Sequence, residues 1–139
     1  MATLRKETSI AAPAAQVWAA LRDVGHADRV FAGLLVDAHM DGDDARIVTF
    51  ANGTVVRELI VDIDDAQRRY AYSVVGGRAA HHHASFQVYE DGAAACRVVW
   101  ITDVLPHEVA AQIEPLVEAG SAAMKRTLEA AARGGVSAA

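Results

Sequence analysis

Cysteine, lysine, aromatic residues and positive charge are all scarce in this 139-residue chain. The single cysteine, Cys96, excludes an intrachain disulfide and any zinc site built from several thiolates. Lysine occurs only as Lys6 and Lys125, and the net charge of −5 offers no basic field to hold a nucleic-acid backbone. Arg68-Arg69 and Lys125-Arg126 are pairs rather than stripes and read as solvated faces. No apolar run approaches the eighteen or so residues of a membrane helix. The first residues, Met1 to Glu7, turn charged and then alternate, unlike a signal peptide. These absences lead us to expect a cytoplasmic bacterial protein with no stable membrane insertion and no nucleic-acid partner. Phosphate-binding loops of the G-x-x-x-x-G-K-[ST] type and G-x-S-x-G elbows are missing too. The acidic run Asp41-Gly42-Asp43-Asp44 is too short for a calcium loop and reads as a turn.

What is present is apolar: 53% of the residues are hydrophobic, and 22% are charged. One domain over 1–133 is expected, with a disordered tail at 134–139. The aromatic share is only 6%, so Val, Ile, Leu and many alanines must fill the interior. Such a core either draws its backbones close together or leaves space inside.

Alternation over Thr3–Ile10 predicts a half-buried strand. Pro13 suits the first turn of a helix carrying Val17, Trp18 and Leu21, and a second short helix is expected at Ala27–Ala32. Strands follow at Leu34–Met40, Arg46–Ala51, Thr54–Ile63, Arg68–Val75, Ala80–Glu90 and Ala94–Leu105. Asn52-Gly53 reads as a two-residue hairpin turn. Short links between successive strands favour an antiparallel meander. A final helix, with Val109, Ile113, Leu116, Val117, Gly120 and Met124 on one face, begins after Pro106; Pro115 predicts a kink or break.

The alternation also suggests which side chains face inward. Within Thr54–Ile63 the more apolar set is Val55, Arg57, Leu59, Val61 and Ile63, which would place one cation among aliphatic groups. Tyr70 and Tyr72 share a face in the next strand, as do His82, Ala84, Phe86 and Val88 in the one after. Val98, Trp100, Thr102 and Val104 share one in the last. Candidate ligand-binding residues are therefore Arg57, Leu59, Tyr72, His82, Phe86, Trp100 and Thr102 from the sheet, with Val117, Gly120 and Met124 from the helix. Gly120 matters because its missing side chain would leave room for a ligand or a strand. A filled core is the alternative, with Arg57 reaching the rim and the tyrosine and histidine groups simply hydrogen-bonded.

The cluster His81-His82-His83 invites a metal reading, since His81 and His83 point the same way on a strand. A third ligand would be needed, and the spacing singles out none of His26, His39, Asp103 or Glu108, so no metal and no cofactor is expected. His82, with Arg57 or Tyr72, could supply the proton acceptor and donors of an aldol cyclisation. Cys96 reads as a buried structural thiol.

The order of elements, read with Ile10-Ala11-Ala12-Pro13-x-x-x-Val17-Trp18, resembles the START/birch-pollen-allergen-like (SRPBCC) superfamily, polyketide cyclase/dehydrase branch. Val56-x-Glu58 with Asp62-x-Asp64, Tyr70-x-Tyr72 before Gly76-Gly77, Val98-Val99-Trp100, Leu105-Pro106 and Lys125-Arg126-Thr127-Leu128-Glu129 add to the likeness, over about residues 3 to 132. The resemblance implies an α+β helix-grip fold, in which a seven-stranded curved antiparallel sheet wraps around a long C-terminal helix. It also implies a cavity for a small hydrophobic molecule, aromatic, polyketide-like or lipid-like. Two other roles stay open: a polyketide aromatase/cyclase or dehydratase using the same cavity, and a protein-interaction module with a vestigial one. Family membership of this kind sets architecture better than activity.

Overall fold

In the computed structural model, which describes residues 2–77 and 79–134, one sheet carries every strand. The strands are β1 (Ala2–Ile10), β2 (Leu35–Met40), β3 (Ala45–Phe50), β4 (Val55–Asp64), β5 (Arg69–Val75), β6 (His81–Glu90) and β7 (Cys96–Leu105). They lie in the order β1-β7-β6-β5-β4-β3-β2, and all neighbours are antiparallel. Sequential hairpins build the meander from β2 to β7, and β1 closes onto β7 along its full length, from Ala2 opposite Val104 to Ile10 opposite Cys96.

Helix α1 (Ala14–Leu21) follows β1, with Pro13 as the residue just before it, where its carbonyl accepts from the Val17 amide at 3.0 Å. Val17, Trp18 and Leu21 are buried, and the Trp18 indole donates outward to Asp65 at 2.9 Å, which ties the helix to the β4–β5 turn. A 3-10 turn at Val24–His26 leads into the single turn α2 (Ala27–Val30). Helix α3 (Ala110–Arg133) spans 24 residues, about 36 Å at 1.5 Å per residue.

Pro115 does not break α3, which continues helical on both sides of it. It stands at the sixth position and is solvent-exposed, so the missing amide costs one hydrogen bond close to the helix start. Past Pro115, α3 is fastened to β1 and the residue that follows it. Lys6 meets Glu118 at 3.1 Å, Lys125 donates to the Ser9 carbonyl at 2.7 Å, and Glu129 accepts from the Ala11 amide at 2.8 Å. Gly134 closes the helix by donating to the Ala130 carbonyl. The rest of the expected tail lies outside the described residues.

One face expectation is reversed. In β4 the side chains of Val55, Arg57, Leu59 and Val61 point to solvent, with Val55 62% and Val61 56% exposed, whereas Val56, Glu58 and Ile60 point inward. The cause is the length of the β3–β4 loop. Phe50 and Thr54 close it through Phe50 N to Thr54 O (2.8 Å), so the loop holds Ala51, Asn52 and Gly53, three residues instead of two. Gly53 takes φ of +91°, the left-handed position of such a loop. The extra residue shifts the register by one, which sends every side chain of β4 to the other face. Arg46 therefore pairs with Glu58 rather than with Leu59.

The buried side lies between the sheet, α1–α2 and α3. Its centre is a strip of aromatic rings running across neighbouring strands: Tyr70 opposite Phe86, and Phe86 opposite Trp100. Ring centroids stand 5.3 Å apart for Tyr70–Phe86 and 4.5 Å for Phe86–Trp100, and Phe31 lies 5.6 Å from Phe86. Such pairs are worth about 0.5–1.5 kcal/mol each beyond area burial.

Candidate functional site

The inner face of the sheet does not close completely against α3. An inner chamber of about 80 Å³ lies among Phe31 and Leu34 beside α2, the strand residues Arg46, Val48, Glu58, Tyr72, Phe86 and Trp100, and Ile113, Leu116 and Val117 of α3. Five of the eight aromatic side chains of the sequence, Phe31, Phe50, Tyr72, Phe86 and Trp100, contribute to its walls. A second chamber of about 310 Å³ shares Phe50, His82, Ile113 and Leu116 with the first. It extends past Val56, Val74 and Gln112 to the Asn52 and Gly76-Gly77 turns. The walls are mainly apolar with a few convergent polar groups, as small-molecule sites usually are.

The polar centre of the inner chamber is an ion pair. Arg46 donates from Nε to Glu58 Oε1 at 2.8 Å, and the two side chains are only 4% and 10% exposed. A second guanidinium nitrogen donates to the Val24 carbonyl at 3.1 Å. The guanidinium carbon stands 5.1 Å from the ring centroid of Tyr72 and 5.5 Å from that of Tyr70. Burial works against the charged form of Arg46, but Tyr70, Glu58 and Tyr72 outweigh it and hold its pKa above the ordinary value.

Burial raises the Tyr72 hydroxyl well above the usual phenol pKa, and the Glu58 charge adds to the effect. Arg46 and the Trp100 N–H oppose that rise. The Trp100 Nε1 itself is buried without a hydrogen bond of ordinary geometry among the described residues. His82 borders both chambers; burial lowers its pKa, and the neighbouring His81 and His83 lower it further. At neutral pH this imidazole is therefore neutral.

Of the candidate residues taken from the sequence, Tyr72, His82, Phe86, Trp100, Thr102 and Val117 come together around the inner chamber. Arg57 and Leu59 do not. The three-residue loop turns both outward, and Arg57 bonds Asp41 at 3.1 Å on the solvent side. Gly120 opens no room for a ligand, because the Trp100 indole and Leu34 occupy the space beside it. Met124, one turn further on, is packed in the core at 1% exposure. His81 and His83 stack with ring centroids 6.4 Å apart, and no group of three His, Cys, Asp or Glu suited to a metal ion occurs among the described residues. Cys96 is buried, which pushes its thiol pKa up to about 11.

Arg46 and Glu58 are the polar residues that sequence reasoning missed. Glu58 stood in the Val56-x-Glu58 likeness without a role; the signal for the pair was a register, since Arg46 shares its parity with Val48 and Phe50 and only the three-residue loop sets a carboxylate opposite it.

The model of the family described as "Polyketide cyclase / dehydrase and lipid transport" matches residues 1–137. The chain belongs to this family. Among solved structures, a solution structure from Thermobifida fusca is 27% identical, with a TM-score of 0.74, 94% of this chain and 91% of that one covered. The di-domain ARO/CYC BexL of the BE-7585A biosynthetic pathway has a TM-score of 0.82 at 16% identity, covering 94% of this chain and 47% of its own. Truncated norcoclaurine synthase from Thalictrum flavum has a TM-score of 0.70 at 20% identity, covering 92% and 91%. The latter two likenesses establish a shared helix-grip fold. No curated protein matches the chain. No described helix is long and apolar enough to cross a membrane.

Proposed function

We propose that this family member binds a small, largely apolar aromatic or polyketide-like molecule between its sheet and α3. The observation that carries this reading is the concentration of five scarce aromatic side chains around a chamber whose polar centre is a buried ion pair. A filled core would have no need to leave Tyr72, Phe86 and Trp100 beside open space. Native mass spectrometry of freshly purified protein and thermal shifts with quinones, lipids and polyketide mimics test it. A retained small molecule, or a rise in melting temperature with members of one class, is expected. Protein that is empty and indifferent to the whole panel refutes the reading.

A second reading, an aromatase/cyclase or dehydratase, draws support from His82. Its neutral imidazole borders both chambers, where it is suited to take a proton from an acidic CH₂ between two carbonyls. The resulting enolate carbon would attack a second carbonyl of the same chain. The aldol alkoxide would take that proton back from the imidazolium and become a hydroxyl; the imidazole would then take the remaining α-proton and pass it to the hydroxyl, which leaves as water as the C=C bond forms. Turnover of a poly-β-ketone mimic that falls at least about a hundredfold in His82→Ala supports this role; equal turnover in the variant removes it.

A further inference from the structure

The Arg46–Glu58 pair is buried deeply, yet it is not used up by its own contacts. Tyr70 and Tyr72 stand against the guanidinium, so its N–H edges are what remain for bonding. Two of those edges serve Glu58 Oε1 and the Val24 carbonyl, and among the described residues only the Tyr70 hydroxyl competes for the others. Glu58 Oε2 accepts no hydrogen bond from any described residue, and both side chains line the inner chamber. The chamber thus presents one acceptor and adjacent donors side by side, with opposite charges that cancel.

We propose that Arg46 and Glu58 form a headgroup reader that accepts an uncharged hydroxyl-bearing end, a phenol or an enolised β-dicarbonyl, and rejects a carboxylate. The inference rests on the cavity-binding reading above and adds the chemical class of the ligand's polar end. A phenol donates its proton to Glu58 Oε2, and its oxygen accepts from an Arg46 N–H. An enolised β-dicarbonyl does the same through two neighbouring oxygens, with the enol O–H on Glu58 and the carbonyl on Arg46. A bare hydrocarbon leaves both groups unsatisfied in a water-poor chamber, which is costly. A carboxylate gains Arg46 but stands against the Glu58 charge, so the pair as a whole gives it no net attraction.

The test uses three probes of similar shape, naphthalene, 2-naphthol and 2-naphthoate, with wild-type protein and Glu58→Gln. Binding is read through calorimetry, and circular dichroism verifies the fold of the variant. Wild-type protein is expected to prefer 2-naphthol over both other probes by at least about tenfold. Glu58→Gln removes the negative charge while keeping an acceptor, so 2-naphthoate affinity should rise and the preference for 2-naphthol should shrink or invert. A gain of binding of this kind is not produced by misfolding. Equal wild-type affinity for naphthol and naphthoate, or an unchanged ratio in the variant, overturns the headgroup reader while leaving cavity binding intact. Failure of all three probes with both proteins overturns the headgroup reader, and the cavity reading falls with it when the protein is also empty and indifferent to the wider panel.

Discussion

Gly120 of α3 and Trp100 of β7 approach so closely that a Cβ on the glycine would stand 2.9 Å from the indole Cζ3 and 3.1 Å from Cη2. Leu34 Cδ2 would lie at 3.3 Å. The glycine therefore seats the largest side chain of the chamber wall. Alanine in a helix interior normally gains about 1 kcal/mol over glycine, whereas forcing a carbon into a packed contact costs about 1–3 kcal/mol. Gly120→Ala should thus be destabilising by about 1 kcal/mol net, seen as a lower urea midpoint. The displaced indole should also weaken ligand binding more than the midpoint shift suggests. An increase in stability would show that Trp100 has slack.

Removing one member of the buried pair should be far more damaging than removing both. Arg46→Met leaves the Glu58 carboxylate buried and alone, at a cost of about 3–5 kcal/mol. Arg46→Met with Glu58→Leu restores an apolar contact, and its chemical denaturation midpoint should recover most of that loss. Midpoints that simply add, without recovery, would mean that the two groups do not depend on one another.

His82 makes stability depend on pH in a stated direction. Its folded pKa lies below the ordinary histidine value of 6.5, so the unfolded chain binds the proton more readily. The contribution is fully present above 6.5 and is lost as pH falls from there through the depressed folded value. Between pH 8 and pH 5 wild-type protein should therefore lose more stability than His82→Gln, measured by denaturant midpoints at each pH. Parallel curves for the two proteins would remove His82 from the account.

The reversed face of β4 is open to a direct comparison. Arg57→Ala and Leu59→Lys alter solvent-facing positions, and each should shift stability by no more than about 0.5 kcal/mol and leave ligand affinity unchanged. Val48→Lys, on the inner face of β3 at 2% exposure, should prevent folding or cost several times more. Loss of binding in Arg57→Ala with an intact fold would restore the opposite register.

Element order and nearly all strand bounds are legible in the sequence because alternation and turn residues are local signals. Phe86 and Trp100 were legible as wall residues for the same reason, since β6 and β7 run without a slip from His81–Leu105 to Glu90–Cys96. The reversed face of β4 has its origin in cross-strand register. Asn52-Gly53 marks a turn but not its length, and a single added residue at Ala51 exchanged Arg57 and Leu59 for Glu58. The bulge between Ile60 and Asp62 is equally silent in the sequence. Gly120 was read as room for a ligand or a strand, and the room belongs to the indole of Trp100 on β7, 20 residues earlier, a choice that only tertiary packing makes.

The fastening of α3 to β1 has a mechanical consequence. The ties made by Glu118, Lys125 and Glu129 all lie past Pro115, while Ile113, Leu116 and Val117 cover the chamber from the other end. The helix is thus a beam fastened to β1 from Glu118 onward, with Ile113 and Leu116 on the stretch before the first tie. The stretch before Glu118 also lacks the backbone hydrogen bond that Pro115 cannot donate, so bending there would widen the mouth with the three ties to β1 and the residue after it unbroken.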